Sequence, residues 1–179
     1  MKPSFSRRVP PDDVVPRRVC DHCGFVDYVN PRIVVGTVCA RDGRVLLCRR
    51  AIEPRPGFWT IPAGYLELGE STEAGARREA YEEARARIEI EGLLAVYNVV
   101  RIAQVQVLYR AKLLADDVAA GPETEEVALF GWRDIPWGEL AFPTVHWVLA
   151  RALELRGREG PFETVGNPMG ADPPPLAAT

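Results

Sequence analysis

Apolar and polar positions change period several times along the chain. Ile33-Val34-Val35-Gly36-Thr37-Val38-Cys39 is a β-branched run, Arg41-Asp42-Gly43-Arg44 supplies an Asp-Gly turn, and Val45-Leu46-Leu47-Cys48 returns. That sequence of signals predicts a β-hairpin. Pro54, Pro56 and Gly57 mark a loop ahead of Phe58-Trp59-Thr60-Ile61-Pro62. Further strands are predicted at 89–100, 103–114 and 126–133, the last two separated by the turn Ala119-Ala120-Gly121-Pro122. Helical spacing occupies two segments. Residues 71–86 open with the cap-type residues Ser71 and Thr72 and place Glu73 in the first turn, where the helix dipole favours an anion. Residues 144–156 align Val145, Val148, Leu149, Ala152 and Leu155 on one face and stop at Gly157. Strands flanked by two helices predict an α/β (α+β) fold in which a mixed β-sheet is sandwiched between helices.

Both ends lack this order. Residues 1–18 mix Pro3, Pro10, Pro11 and Pro16 with five basic residues, and residues 160–179 hold Pro161, Pro168 and Pro173-Pro174-Pro175. Such stretches bury too little apolar surface to offset their ordering entropy. The chain is therefore expected to divide into an N-terminal extension (1–30), one folded domain (31–158) and a disordered C-terminal tail (159–179). A length of 179 residues with 47 % hydrophobic side chains suits one domain with a real core. The net charge of -3 argues against a nucleic-acid partner. No apolar run reaches the ~18 residues a membrane span needs. The N-terminus has no apolar leader core, and four cysteines are too few for a disulfide scaffold. A cytoplasmic location is the expectation.

The chemistry is concentrated between Gly64 and Ala86. On a helix, positions i, i+3 and i+4 share a face, so Glu79, Glu82 and Glu83 project together. Like charges at that spacing repel by roughly 0.2–0.5 kcal/mol per pair. A divalent cation resolves the repulsion; magnesium takes one or two carboxylates and completes its octahedron with water and phosphate oxygens. The ordinary alternative is a solvated surface helix laced by the pairs Glu73–Arg77, Arg78–Glu82 and Glu83–Arg87. Two features favour the first reading. The helix has a narrow apolar side of Ala76, Ala80 and Ala84, suited to close docking on a sheet, and the preceding loop carries Gly64, Gly69 and Glu70 at fixed offsets.

Those offsets (Gly, five residues, Glu, seven residues, Arg-Glu-apolar-x-Glu-Glu) resemble the Nudix box, filled here by Gly64, Glu70, Arg78, Glu79, Glu82 and Glu83. Six fixed matches arise by chance on the order of once in ten million windows at average residue usage. One position departs: Arg85 stands where the box has a glycine. Either Arg85 adopts a left-handed conformation at a cost of about 1 kcal/mol, or the helix runs further. The resemblance extends over residues 20–150, through Cys20-Asp21-His22-Cys23-Gly24, Leu46-Leu47-Cys48-Arg49-Arg50, Gly57-Phe58-Trp59-Thr60-Ile61-Pro62-Ala63-Gly64 and Gly121-Pro122-Glu123-Thr124-Glu125-Glu126. It is similar to the zinc-ribbon-bearing branch of the superfamily, including plant chloroplast enzymes acting on FAD and ADP-ribose.

The resemblance implies an enzyme that cleaves the pyrophosphate of a nucleoside diphosphate linked to another moiety, such as ADP-ribose, FAD or NADH, with Mg²⁺ or Mn²⁺. Glu79 and Glu83 would be the principal metal ligands, Glu82 would complete the cluster, and Gly64 would bring backbone to the metal or phosphate. Arg78 would hold the carboxylates, and Glu70 would pin the loop to the helix. The general base is left open between Glu82 and Glu126. Trp59 and Phe58 would line the nucleoside pocket, with Tyr97 and Tyr65 as further options and a core position as the alternative for Trp59, and Arg49, Arg50 and Arg101 would contact phosphate. Cys20 and Cys23 form half of a zinc site whose other half is missing upstream, so zinc is not expected. Relatives of this kind imply a homodimer. A ligand-binding regulatory module and a nucleoside triphosphate pyrophosphatase are the alternatives.

Overall fold

The computed structural model describes residues 2–158 and 160–171, in two compact units divided between Pro31 and Arg32. In the first unit, β1 (Phe5–Arg8), β2 (Arg17–Cys20) and β3 (Val26–Asp27) form an antiparallel sheet with Phe5 opposite Cys20. Residues 1–18 were expected to be unpacked. Their order comes from polar contacts that hydrophobic periodicity does not report. Asp13 accepts hydrogen bonds from the Val14 and Val15 amides and from Arg17 Nε at 2.9 Å, closing the connection between β1 and β2. The Arg18 guanidinium lies 5.0 Å from the Phe5 ring and that of Arg17 lies 5.4 Å from the Tyr28 ring.

The second unit is built on a mixed sheet ordered β10 (Thr124–Gly131), β5 (Arg44–Arg50), β4 (Arg32–Arg41), β9 (Gln104–Leu113) and β8 (Ile88–Val99). Strands β4 and β9 run parallel, with Val35 opposite Val107; the other ladders are antiparallel. The short strands β6 (Trp59–Thr60) and β7 (Ala63–Tyr65) add to β5 and β4. Helices α1 (Thr72–Ala84) and α2 (Pro143–Glu154) cover the two faces.

Alternation along β5 divides the core. Val45 and Leu47 pack with Val145, Val148, Leu149 and Ala152 of α2, whereas Leu46 and Cys48 pack with Ala80 and Ala84 of α1. Burial of both faces explains why this strand reads as an unbroken apolar run. The expected sandwich is therefore present, and the alanine side of α1 sits directly on the sheet, with Ala76, Ala80 and Ala84 fully buried. Ser71 caps that helix by accepting the Ala74 amide at 3.1 Å. Among the described residues, no helix is long and apolar enough to cross a membrane.

The tail departs from expectation. Val165 bridges to Ala95, Val96 donates to the Val165 carbonyl at 2.9 Å, and Phe162 and Val165 pack against the α2-side core. Sheet-edge hydrogen bonds order this proline-bearing segment despite its composition; residues 172–179 lie outside the described residues.

Candidate active site

The carboxylate helix and the glycine strand face each other at close range. A Cβ built on Gly64 would fall 2.4 Å from the Glu79 carboxylate, so the close approach expected of this glycine is made to a side chain of α1. One residue earlier, the Ala63 amide donates to Glu83 Oε2 at 3.1 Å. Strand β7 is thus tied to successive turns of the same helix face.

Arg78 organises the rest. Its Nε and Nη2 donate to the two Glu70 oxygens at 3.1 and 2.8 Å, its Nη1 to Glu79 at 2.7 Å and Glu82 at 2.9 Å, and its Nη2 also to the Tyr65 carbonyl at 2.9 Å. These charge-assisted bonds hold the Arg78 guanidinium protonated, chiefly through Glu70. Glu70 also accepts the Glu67 amide at 2.8 Å, and Arg78 holds its carboxyl below the usual range. Glu70 therefore links the Glu67 amide in the loop to Arg78 on the helix.

Charge in the site is incompletely compensated. Burial pushes the Glu83 carboxyl up to about 8 against the hydrogen bond from Ala63, and the neighbouring Glu79 charge adds to the rise. Burial also raises Glu79, opposed by Arg78. Glu82 is more open, with its side chain 54 % exposed. Among the described residues, no three acidic, cysteine or histidine side chains already converge on one point. Two buried carboxylates beside a strand that admits no Cβ nevertheless suit a hard divalent cation, which needs few protein oxygens and takes the remainder from water and phosphate.

These groups open into a cavity of about 990 Å³. Its walls include Arg50, Tyr65, Arg101 and Glu123 alongside Glu79 and Glu83. Several expected contacts lie elsewhere. Trp59 is a core residue, its ring edge-on to Phe130 at 4.9 Å. Tyr97 is 1 % exposed and packs edge-on to Trp147 at 5.4 Å, with burial pushing its hydroxyl up to about 12. Each sits on a strand position facing α2, and strand alternation sends such rings into the core. Arg49 and Glu126 pair with each other at 3.5 Å across β5 and β10.

Glu123 is the carboxylate that the sequence reading passed over. Its charge bears on both Glu79 and Glu83. Its position follows from Gly121, whose amide donates to the Glu83 carbonyl at 2.9 Å and whose missing Cβ would fall 1.7 Å from the Glu82 carbonyl. The glycine two residues upstream of Glu123 was the available signal. Arg85 resolves the departure at the end of the box: with φ of 53° it ends the helix in the left-handed conformation, and its amide donates to the Tyr81 carbonyl at 2.8 Å.

A mixed sheet between two helices thus holds a glycine strand against a helical carboxylate cluster. The chain belongs to the Nudix family: residues 29–153 match the NUDIX domain, and residues 3–29 match the Nudix N-terminal zinc-ribbon family. A crystal structure of a NUDIX hydrolase from Nitrosomonas europaea is 43 % identical, with a TM-score of 0.85 over 92 % of this chain and 94 % of that one. A MutT-like protein from Streptomyces ambofaciens is 40 % identical over 79 residues, 44 % of this chain and 49 % of that protein, so the match spans about half of that relative. An ADP-ribose pyrophosphatase from Methanocaldococcus jannaschii is 27 % identical over 119 residues, 64 % of this chain and 69 % of that protein.

Proposed function

We propose that this protein hydrolyses the pyrophosphate bond of a nucleoside diphosphate joined to a second moiety, with ADP-ribose, FAD and NADH as the substrate types, in the presence of Mg²⁺ or Mn²⁺. The observation that carries this reading is the pair of buried carboxylates, Glu79 against Gly64 and Glu83 on the Ala63 amide, lining a cavity of about 990 Å³. A space of that size takes a two-part nucleotide. The relation to an ADP-ribose pyrophosphatase gives the same direction.

Glu79 and Glu83 would hold the cation, which when bound screens the pyrophosphate and lowers the pKa of attacking water. Arg78 orients Glu79 and Glu82 while Glu70 fixes Arg78. Arg50 and Arg101, both on the cavity wall, would contact phosphate oxygens. Glu123, on the cavity wall, would accept a proton from water. The N-terminal unit carries Cys20 and Cys23, and a closed four-ligand zinc site would need thiolates or imidazoles from outside that pair.

The test is phosphate release, after phosphatase coupling, from ADP-ribose, FAD and NADH with and without Mg²⁺, beside a nucleoside triphosphate panel. Metal-dependent turnover of a two-part nucleotide is the expected result. Turnover restricted to triphosphates, or none in folded protein, overturns the proposal.

A further inference from the structure

The C-terminal segment 162–171 runs beside β8 and is anchored at Phe162, Glu163, Thr164, Val165 and Asn167. Phe162 packs where a Cβ on Gly92 would stand (2.9 Å), and Arg110 covers its ring at 4.6 Å. Arg151 donates to the Glu163 carbonyl at 2.8 Å, and Thr164 donates to the Leu93 carbonyl at 2.8 Å. Val165 donates to Leu94 and accepts from Val96. Asn167 then takes both backbone groups of one residue: its Oδ1 accepts the Asn98 amide at 2.8 Å and its Nδ2 donates to the Asn98 carbonyl at 2.9 Å. A side-chain amide here does the work of another strand residue.

What these anchors hold is a cavity wall. Asn98, Val99, Arg101 and Ile102 all line the cavity, and Ala171, at the far end of the segment, lines it too. Asn98 therefore marks the place where an ordered sheet edge becomes substrate wall. The bulge between Ile90 and Gly92 admits Phe162 and seats the segment in this register. The wall carries amide and guanidinium groups (Asn98, Arg101, Gln104, Gln106), whereas Phe142, Val145 and Trp147 form an apolar part of the same cavity. Amides and a guanidinium match hydroxyls and phosphate oxygens; aromatic and aliphatic surface matches a base.

We infer that residues 162–171 are a positioning element of the substrate site, holding the wall whose amides, Asn98, Gln104 and Gln106, receive the hydroxyl-rich, sugar-bearing end of the substrate. The inference rests on the pyrophosphatase reading and adds to it which side of the cavity recognises which half of the molecule. The carboxylate cluster on α1 takes no hydrogen bond from this segment, so loosening the segment alters binding of the distal sugar and leaves the reacting centre assembled.

The experiment compares full-length wild type with N167A and with the double variant T164A/N167A. Steady-state kinetics are measured on ADP-ribose and on an ADP ester whose second group is a simple alkyl chain. Hydrogen exchange at the Val96 and Asn98 amides verifies that the segment has been released. The expected result is a KM for ADP-ribose raised about tenfold with kcat within twofold, an unchanged KM for the alkyl ester, and partial recovery in N167D, which keeps the acceptor for the Asn98 amide. Equal KM values for wild type and released variants overturn the inference while leaving the pyrophosphatase reading intact. A common rise for both substrates also overturns it, because the wall would then not discriminate the sugar. An inactive wild type on both substrates overturns the function and the inference together.

Discussion

Gly64 and Glu79 occupy the same small volume: the position a Cβ would take on the strand residue is 2.4 Å from all three atoms of the carboxyl group on the helix. The atoms in the way are the free end of a side chain, so a larger residue at 64 displaces the carboxylate rather than the backbone. The predicted consequence for Gly64→Ala is a loss of metal-dependent turnover of about 100-fold with a small change in stability. Steady-state rates together with a thermal melt check it; a variant that melts early without losing turnover would show that Gly64 serves packing instead.

Glu83 gives a dependence on pH whose sign is fixed by its burial. Its folded-state carboxyl is raised to about 8, so the native protein holds a proton that the unfolded chain releases near the ordinary carboxylate value. Stability from this group is present at low pH and declines as the pH rises from about 4.5 through about 8. In excess chelator the wild type should therefore lose up to a few kcal/mol across that window, and Glu83→Gln should flatten the decline while keeping an acceptor for the Ala63 amide. Added Mg²⁺ should restore stability at pH 8 to the wild type and not to the variant. Urea melts at pH 5 and pH 8 measure all of this, and the same variant should lose about 100-fold or more in kcat.

Much of this site was legible from Gly64, Glu70, Arg78, Glu79, Glu82 and Glu83, because fixed offsets in a loop and along a helix are local quantities. What a local pattern cannot report is which face of a strand a ring occupies once two helices cover the sheet. Trp59 and Tyr97 were expected in the nucleoside pocket and are core residues for that reason. Order that depends on polar contacts, local or long-range, was equally hidden: Asp13 with Arg17, and Asn167 with Asn98, organise stretches whose composition reads as unstructured.

Arg85 is a non-glycine residue in the left-handed region, at φ 53°. Strain there is about 1–2 kcal/mol for a residue with a Cβ. It is partly offset by the guanidinium resting 5.3 Å from the Tyr81 ring and by the lower chain entropy of arginine when unfolded. Arg85→Gly should accordingly stabilise the fold by about 0.5 kcal/mol, and Arg85→Ala, which keeps the strain and drops the ring contact, should destabilise it by a similar amount. Denaturant midpoints for the two variants separate the contributions.

Thiol chemistry follows burial. Cys39 and Cys48 lie in the sheet beneath α1, where burial pushes the Cys39 thiol up to about 12 and also raises Cys48. Cys23 is exposed. At pH 8 an alkylating reagent should label Cys23 within minutes and leave Cys39 and Cys48 unmodified until the protein is unfolded. Peptide mapping by mass reads the outcome directly, and labelling of Cys48 in native protein would mean that α1 opens on that timescale.

Two glutamates on either side of the start of β10 divide by what they face. Glu126 pairs with Arg49 across the β5–β10 ladder at 3.5 Å. Glu123 lies on the cavity wall, where its charge adds to the cost of ionising Glu79 and Glu83. A carboxylate that accepts a proton from attacking water has to reach the reacting centre, and removing such a base costs roughly 100-fold or more in rate. Glu123→Gln should therefore lower kcat by about 100-fold with KM little changed, while Glu126→Gln should stay within about threefold of wild type. Rates of both variants on the same substrate decide between them. A large loss in Glu126→Gln with none in Glu123→Gln would require the loop to shift when substrate binds, exchanging the Arg49 pair for the cavity.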